Sequence, residues 1–268
     1  MTIQITSLAV TDATLSDRAV LLAEQLNLEL KLPDAEQAQL ILTPTRLEIR
    51  YPQLGGPVFI DFVSGKNQHR RQFGGGRGQP LAKAVGLKKG ANPIIIDATA
   101  GFGRDAFVFA SLGCQVTMIE QQPLVAALLA DAMQRAQTDA ESAQIISRMQ
   151  LHKGNATKFL ASLSEAERPD VVYLDPMYPA REKSALVKKE MQLLHQLVGP
   201  DSNSADLLNI ARNVALKRVT VKRPKGAEFF AGQKPHVSIE SKNTRYDIYT
   251  GWLQLASLFI QFSQMRQF

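Results

Sequence analysis

A carboxylate and an aromatic ring directly follow an apolar run in the second half of the chain. The run Val171–Leu174 is followed by Asp175, Pro176, Met177 and Tyr178. Such a run suits one buried parallel strand, and because proline cannot continue the hydrogen-bond ladder, the chain must leave the sheet at the carboxylate. An acceptor beside a flat ring suits a planar group that offers an N–H, such as a nucleobase amine. The same residues are equally typical of a simple turn, so a second observation is needed.

That second observation is a glycine-rich turn further upstream. Residues 94–96 predict a strand that leads into Asp97, Gly101 and Gly103, and a helix is predicted over residues 104–112. Glycine lets the backbone approach a ligand closely, and the free N–H groups of the helix would point at the same place. This order of elements is typical of a ligand site at the end of a parallel strand.

A carboxylate at the end of the next predicted strand extends the pattern. The strand over residues 115–119 ends at Glu120, which lies 17 residues after Gly103. In dinucleotide-binding folds a carboxylate roughly 20 residues after the turn accepts hydrogen bonds from ribose hydroxyls. Ala106 stands where the third glycine of the dinucleotide fingerprint would be, which disfavours an NAD-binding domain without excluding it.

Together these motifs resemble a known family. The pattern Asp-x-Thr-x-Gly-x-Gly from Asp97 is similar to the first motif of class I S-adenosylmethionine (SAM) methyltransferases, and Asp-Pro-Met-Tyr from Asp175 is similar to the motif of those that methylate amino or amide nitrogens. Longer stretches resemble the ribosomal RNA small subunit methyltransferase J family, which methylates guanine N2 in 16S rRNA. They cover residues 73–78, 97–107, 174–179, 183–191, 221–224 and 245–249, within a resemblance spanning roughly residues 60 to 251. Met177 departs from the second proline of the wider superfamily but agrees with this family.

The resemblance implies SAM as cofactor, 16S rRNA or the small ribosomal subunit as partner, and a particular fold. That fold is an α/β, doubly wound, Rossmann-like sheet, mostly parallel with an antiparallel edge hairpin. Asp175 and the Pro176 carbonyl would accept from the target amine, and Tyr178 would stack on the base. The residues predicted to bind the cofactor are Asp97, Gly101, Gly103, Arg104, Asp105, Glu120, Gln121, Gly154, Asn155 and Asp175.

Positive charge is concentrated in two blocks of the sequence. No acidic residue lies between Asp61 and Asp97, where seven are basic, and six more basic residues lie between Asp206 and Glu228. Charges packed this densely repel one another unless a polyanion is present, although a solvated basic face is the alternative. The residues predicted to contact RNA are Arg70, Arg71, Arg77, Lys83, Lys188, Lys222 and Arg223.

Composition sets further bounds. A chain of 268 residues with 45% hydrophobic content can bury one large core, or one core and a small satellite. No apolar run approaches the ~18 residues needed to span a membrane, and no secretory signal is visible, so a cytoplasmic protein is expected. Cys114, the only cysteine, is expected to be a buried thiol, and the four histidines lack metal-ligand spacing, so no metal is expected.

The predicted organisation has two parts. Residues 1–90 form an N-terminal α+β region that contacts RNA, and residues 91–268 form the methyltransferase domain. In the first part we expect helices at 15–25 and 81–87 and strand-like stretches at 40–51 and 58–63. In the second we expect strands at 94–96, 115–119, 149–152, 170–174 and 218–222, a hairpin of 236–241 with 246–252, and helices at 104–112, 123–137, 183–197 and 253–268.

Two other functions stay open at the level of sequence. One is methylation of a different amine, either adenine N6 in DNA or a protein glutamine, and the basic blocks weigh against the protein target. The other is an RNA-binding module without catalysis. The presence of Asp97, Glu120, Asp175 and Tyr178 weighs against it.

Overall fold

The computed structural model describes residues 3–64, 76–88, 90–177, 189–198 and 204–251. The strands are β1 Ser7–Val10, β2 Glu29–Leu30, β3 Gln39–Leu42, β4 Leu47–Arg50, β5 Ile95–Asp97, β6 Val116–Glu120, β7 Met149–Lys153, β8 Val171–Leu174, β9 Arg218–Pro224, β10 Val237–Glu240 and β11 Thr244–Thr250. The α-helices are α1 Ser16–Leu26, α2 Pro80–Ala84, α3 Arg104–Ser111, α4 Pro123–Ala136, α5 Ala140–Ile146, α6 Ala156–Ala161, α7 Lys189–Val198 and α8 Ser204–Val214. Within these ranges no helix combines the length and apolarity needed to cross a membrane.

The larger sheet has seven strands in the order β10-β11-β9-β8-β5-β6-β7. The five strands from β9 to β7 run parallel, while β11 pairs antiparallel with both β9 and β10. This confirms the doubly wound sheet with an edge hairpin. The strand order reverses between β5 and β8, so the connections from their carboxyl ends diverge and open a crevice there, which is where such sheets bind ligands.

The central strands are apolar because both faces of the sheet are covered. Ile95, Val171 and Tyr173 belong to the buried cluster on one face, whereas Ile96 and Val172 belong to the cluster on the other. Alternate side chains of a strand point to opposite faces, so a strand buried on both sides reads as a continuous apolar run. The motif residues therefore sit at the ends of rigid, fully packed strands.

The N-terminal region forms a smaller, four-stranded sheet in the order β2-β1-β3-β4. Its apolar residues join the same buried cluster as the helices of the larger sheet. Polar contacts also join the N-terminal region to the larger sheet's helix α4. The Asp131 carboxylate on α4 accepts from the Leu47 backbone N–H at 3.1 Å and pairs with Arg18 at 3.0 Å and with Arg135 at 2.8 Å. The domain boundary at residue 90 stays a prediction, and the buried core runs across it.

Several local expectations were wrong. The stretch 40–51 forms two antiparallel strands, because the chain turns where the Thr43 N–H donates to the Arg46 carbonyl at 3.0 Å. Residues 58–63 contribute one bridge, between Val58 and Ile49, instead of a strand. The elements β1, β2, α5, α6 and α8 were not predicted. The first part of the helix expected at 183–197 and the one expected at 253–268 lie outside the described residues, as does Trp252.

Cys114 has the environment expected for a packed thiol. Its side chain is buried in the main core. Burial raises the pKa of the thiol to about 11, so it stays protonated at neutral pH.

Candidate active site

A cavity of about 680 Å³ opens at the carboxyl ends of the parallel strands. This volume is within the range of small-molecule sites. One half, called here the cofactor half, is lined from the ends of β5, β6 and β7, and the other, the target half, from the ends of β8 and β9 and the β10–β11 turn.

Glu120 organises the cofactor half. It is 6% exposed, and its two carboxylate oxygens accept from the backbone N–H groups of Gly101, at 2.9 Å, and Gln122, at 2.7 Å. Burial raises the pKa of Glu120, and these N–H groups oppose the rise. A carboxylate has about four acceptor positions, so acceptors remain for a ligand that offers hydroxyl groups.

The two glycines of the turn have different tasks. Gly101, at φ +53°, lines the cavity, and its close approach to a ligand stays a prediction. Gly103, at φ +66°, faces the protein core: a Cβ there would lie 2.8 Å from Leu129 Cδ1 and 3.2 Å from Phe62 Cζ. A glycine here therefore lets the turn pack closely on the core, and the predicted contact of Gly103 with the cofactor stays a prediction.

Asp97 lies at the end of β5, at the base of the cavity. It is 2% exposed and accepts from the Thr99 N–H at 3.2 Å. Burial raises the pKa of Asp97 well above its ordinary value; the Thr99 N–H opposes this, and the nearby carboxylates of Asp105 and Asp175 add to it.

Residues after β7 complete the cofactor half. The Gly154 N–H donates to the Glu120 carbonyl at 2.9 Å, and the Asn155 side-chain amide donates to the Gln121 side chain at 3.2 Å. The Asn155 oxygen also accepts from the Lys158 N–H at 3.0 Å and so caps α6. These contacts bring the ends of β6 and β7 together on one ligand-sized surface.

A charged network defines the target half. The Asp175 backbone N–H donates to Thr99 Oγ1 at 2.6 Å, and its carboxylate Oδ2 accepts from Lys222 Nζ at 2.8 Å. Lys222 also donates to Asp105 Oδ2 at 2.7 Å, which accepts from the Tyr173 hydroxyl at 2.7 Å. Lys222 and Asp175 keep 28% and 41% of their side chains exposed, so the network is open on the cavity side.

The pKa values follow from this arrangement. Withdrawal from water raises the pKa of Asp175, Lys222 opposes the rise, and Asp105 adds to it. Burial alone would lower the pKa of Lys222, but Asp175 and Asp105 outweigh burial and raise it. The lysine therefore stays positively charged between two carboxyl groups.

Comparisons with known proteins decide the family. The profile of the family described as "Putative SAM-dependent methyltransferase" matches residues 21–251. The protein named ribosomal RNA small subunit methyltransferase J from Tolumonas auensis is 60% identical over 199 residues, covering 74% of this chain and 79% of that protein. Its namesake from Aeromonas salmonicida is 53% identical over 242 residues, covering 89% and 94%. This chain belongs to the ribosomal RNA small subunit methyltransferase J family.

The fold comparison agrees with the sequence. The crystal structure of a SAM-dependent methyltransferase from Neisseria gonorrhoeae superposes with a TM-score of 0.74 and 38% identity, covering 92% of this chain and 96% of that one. The chain is therefore a SAM-dependent methyltransferase, and the predicted cofactor, enzyme class and fold are confirmed.

The cofactor half fits SAM on structural grounds. Glu120 offers acceptors suited to ribose hydroxyls, and Gly101 presents backbone without a side chain to the cavity, beside Leu194. Asp97 adds a buried carboxyl group at the base of the cavity, whereas the carboxylates of Asp105 and Asp175 are already paired with Lys222. In the described ranges no three His, Cys, Asp or Glu side chains group as a metal site would require.

The residues predicted to bind RNA differ in whether their charged groups are exposed or bonded within the protein. Lys83 is exposed on α2. Arg77, in contrast, donates to the carbonyls of Lys88, Ala91 and Leu112 at 2.8–2.9 Å, so its guanidinium serves to hold loops together. Arg70, Arg71, Lys188 and Tyr178 lie outside the described residues.

The two basic residues at the end of β9 also make internal contacts. Arg223 is 8% exposed and donates to the Glu228 carbonyl at 3.0 and 3.2 Å, while Lys222 is held in the network described above. Both nevertheless line the cavity, as Pro176 does. Their charge faces the site instead of an outer basic surface.

The sequence did not predict several of the lining residues, and two groups of them come from elements outside the motifs. Asn243 and Thr244 reach the target half from the β10–β11 turn, and Met191 and Leu194 reach the cavity from α7. Leu194 packs so near the glycine turn that its Cδ2 would lie 3.3 Å from a Cβ at Gly101. The only available signal was the position of the predicted hairpin at the sheet edge.

Proposed function

We propose that this protein transfers the methyl group of SAM to the N2 amine of a guanosine in the 16S rRNA of the small ribosomal subunit. One observation carries the proposal: the Asp175 carboxylate, anchored through its backbone and its side chain, faces the same cavity as the cofactor half. The relatives named ribosomal RNA small subunit methyltransferase J support an rRNA substrate, which would place the protein in the cytoplasm.

The residues at the end of β8 have distinct tasks in this proposal. Guanine N2 is a weak nucleophile because its lone pair is delocalised into the ring. Asp175 and the Pro176 carbonyl accept from its two N–H groups and turn the lone pair out of the ring plane. As the N–CH3 bond forms, the S–CH3 bond of SAM breaks and S-adenosylhomocysteine leaves. The carboxylate stabilises the positive charge on nitrogen until the extra proton passes to Asp175 or to water. Tyr178 stacks on the base, which contributes about 1–3 kcal/mol.

The cofactor half positions the donor. SAM supplies a methyl group already activated by its sulfonium. Glu120 accepts from the ribose hydroxyls, Gln121 and Asn155 lie beside the adenine, and Gly101 and Gly154 provide backbone at the pocket wall. Arg104 remains a proposed contact, whereas the hydrogen bonds of Asp105 favour a role within the Lys222 network.

The RNA surface is proposed to include Lys83 together with Arg70, Arg71 and Lys188, with residues 1–90 forming part of it. Extrusion of a paired or stacked guanine costs a few kcal/mol, and contacts to phosphates offset that cost. Arg223 contributes by ordering the backbone beside the site, whereas Arg77 holds the loops that precede β5 and β6, at the opposite edge of the sheet.

The test is transfer of labelled methyl from SAM to small subunits that lack their own modification, with Asp175→Ala and the exposed Asp17→Ala as matched variants. We expect label in N2-methylguanosine after nuclease digestion, formed about 10²–10³-fold more slowly by Asp175→Ala and retained by Asp17→Ala. Absence of label from rRNA, with SAM binding intact, would contradict the proposal. DNA and protein substrates are tried in parallel, and label in DNA or in a protein glutamine would show that the enzyme methylates a different amine.

A further inference from the structure

Lys222 lies between two carboxylates because of the strand register. Leu174 of β8 pairs with Val221 of β9, so the next residues, Asp175 and Lys222, emerge side by side at the ends of parallel strands. The ammonium lies 2.8 Å from Asp175 Oδ2 and 2.7 Å from Asp105 Oδ2. The sequence predicted contact with RNA for this lysine, yet a phosphate would have to break two short ion pairs to take it.

We propose that Lys222 is a positioning residue for methyl transfer: it holds the Asp175 carboxylate through Oδ2 so that the second oxygen accepts from the target amine. The inference rests on the role of Asp175 proposed above. Thr99 fixes the Asp175 backbone at the same time, so the carboxylate is held at both ends.

The network extends this restraint into the core. Asp105 accepts from both Lys222 and the fully buried Tyr173, so the lysine is itself held against a rigid strand. A side chain held this way presents its acceptor without reorganisation when the substrate arrives, which is how a preorganised site lowers a barrier.

Charge is the second consequence of the arrangement. Among the residues that the structure describes, titratable groups reach Asp175 and Lys222 from several elements: Asp97 on β5, Asp105 on α3, Tyr173 on β8, Arg223 on β9 and Tyr246 on β11. Lys222 and Arg223 lower the pKa of Asp175, whereas Asp105 raises it. Removal of Lys222 therefore favours protonated Asp175, which is a poorer acceptor and carries no charge to stabilise the reacting nitrogen.

Two substitutions should move the pH profile in opposite directions. Lys222→Met removes the cation, so the acidic limb of the single-turnover rate shifts to higher pH, and a shift of one unit lowers the rate in that limb about tenfold. The rate recovers in part as the pH is raised. Asp105→Asn removes a carboxylate, so the limb shifts to lower pH. Lys222→Arg keeps the charge and should stay near the wild-type profile.

A direct measurement does not depend on activity. The Asp175 carboxyl can be titrated by carbon-13 NMR in ligand-free protein with labelled aspartate, with Asp175→Asn assigning the signal. We expect its midpoint to rise in Lys222→Met and to fall in Asp105→Asn. Should Lys222→Met fail to fold, Asp105→Asn and Lys222→Arg still decide the question.

The outcomes separate this proposal from the proposed function. Unchanged limbs and midpoints in the folded variants, with Asp175→Asn inactive, would overturn the role of Lys222 and leave that of Asp175 standing. Full activity in Asp175→Asn would instead overturn the role of Asp175, whatever the titrations show.

Discussion

The two halves of the cavity are built from different interactions. In the cofactor half, the Glu120 carboxylate accepts from backbone N–H groups 19 and 2 residues away, within one strand-helix-strand unit. In the target half, Lys222 bonds to Asp105 and Asp175, which are 117 and 47 residues away. The first half depends on local backbone geometry, and the second on charges that only the completed sheet brings together. Substitutions in the two halves should therefore separate cofactor affinity from turnover.

The largest effect is expected for Asp175→Ala, in the target half. The substitution removes the acceptor that stabilises charge on the amine, so the rate of methyl transfer should fall about 10²–10³-fold. Cofactor affinity, measured by calorimetry with S-adenosylhomocysteine, should change much less. If affinity and rate fell in parallel, the two halves would not be separable.

Glu120→Gln tests the cofactor half. The amide keeps one acceptor but loses the charge, and a hydrogen bond to a charged group is worth about 1.5–3 kcal/mol, so cofactor affinity should fall roughly ten- to hundredfold. Turnover at saturating cofactor should stay near that of the wild type. The matched control is Glu240→Gln, at an exposed ion pair with Lys225. A loss of turnover without loss of cofactor affinity would show that Glu120 does not act in cofactor binding.

Asp97→Asn should stabilise the folded protein at neutral and higher pH. A carboxyl group whose pKa is raised in the folded state contributes stability below its unfolded pKa of about 3.9, and that stability is lost as the pH rises through the folded pKa. Asparagine does not titrate, so the melting temperature of the variant should exceed that of the wild type above neutral pH.

This difference should shrink towards pH ~4 and can be followed by calorimetric melting at several pH values. A gain of about 1 kcal/mol corresponds to roughly 2–4 °C in a chain of this size. Asp17→Asn, at an exposed position of α1, serves as the control and should show no such trend. A variant that melts below the wild type at every pH would show that the ionised carboxylate stabilises the fold.

The smallest effects extend the comparison to the basic residues. Lys83→Ala should weaken RNA binding a few-fold and reduce the slope of log affinity against log salt by about 0.7–0.9, as expected for one lost phosphate contact. Arg77→Ala should instead lower the free energy of unfolding by about 0.5–1.5 kcal/mol, because three carbonyls lose their donor but the two at Lys88 and Ala91 can bond to water. Equal salt slopes for Lys83→Ala and the wild type would remove this lysine from the RNA surface.

The same contrast explains what the sequence could predict. The turn at Gly101, the carboxylate at Glu120 and the strand end at Asp175 were all predicted, because each depends on a short motif with a local structural reason. The pairing of Lys222 with Asp175 was not, since it requires that β9 lie beside β8 in a known register. The packing of Gly103 against Leu129 could not be predicted from the sequence either, because it depends on which core side chains lie beside the turn.

Short elements escaped prediction for a related reason. The strands β1 and β2 contain four and two residues, too few for a periodic pattern. The helix α6 begins at the cap formed by Asn155, a residue that the sequence assigned only to cofactor binding. The structure shows the capping role of this side chain, and its contact with the cofactor stays a prediction.

The buried Asp131 has a consequence for how the chain unfolds. Its carboxylate is bound from the N-terminal region by Leu47 of β4 and Arg18 of α1, and from its own helix by Arg135, inside a core that both sheets share. Neither sheet can detach without leaving a carboxylate and a broad apolar surface unpartnered. Denaturation should accordingly be a single cooperative transition, with a denaturant dependence that reflects the surface of the whole chain instead of one sheet.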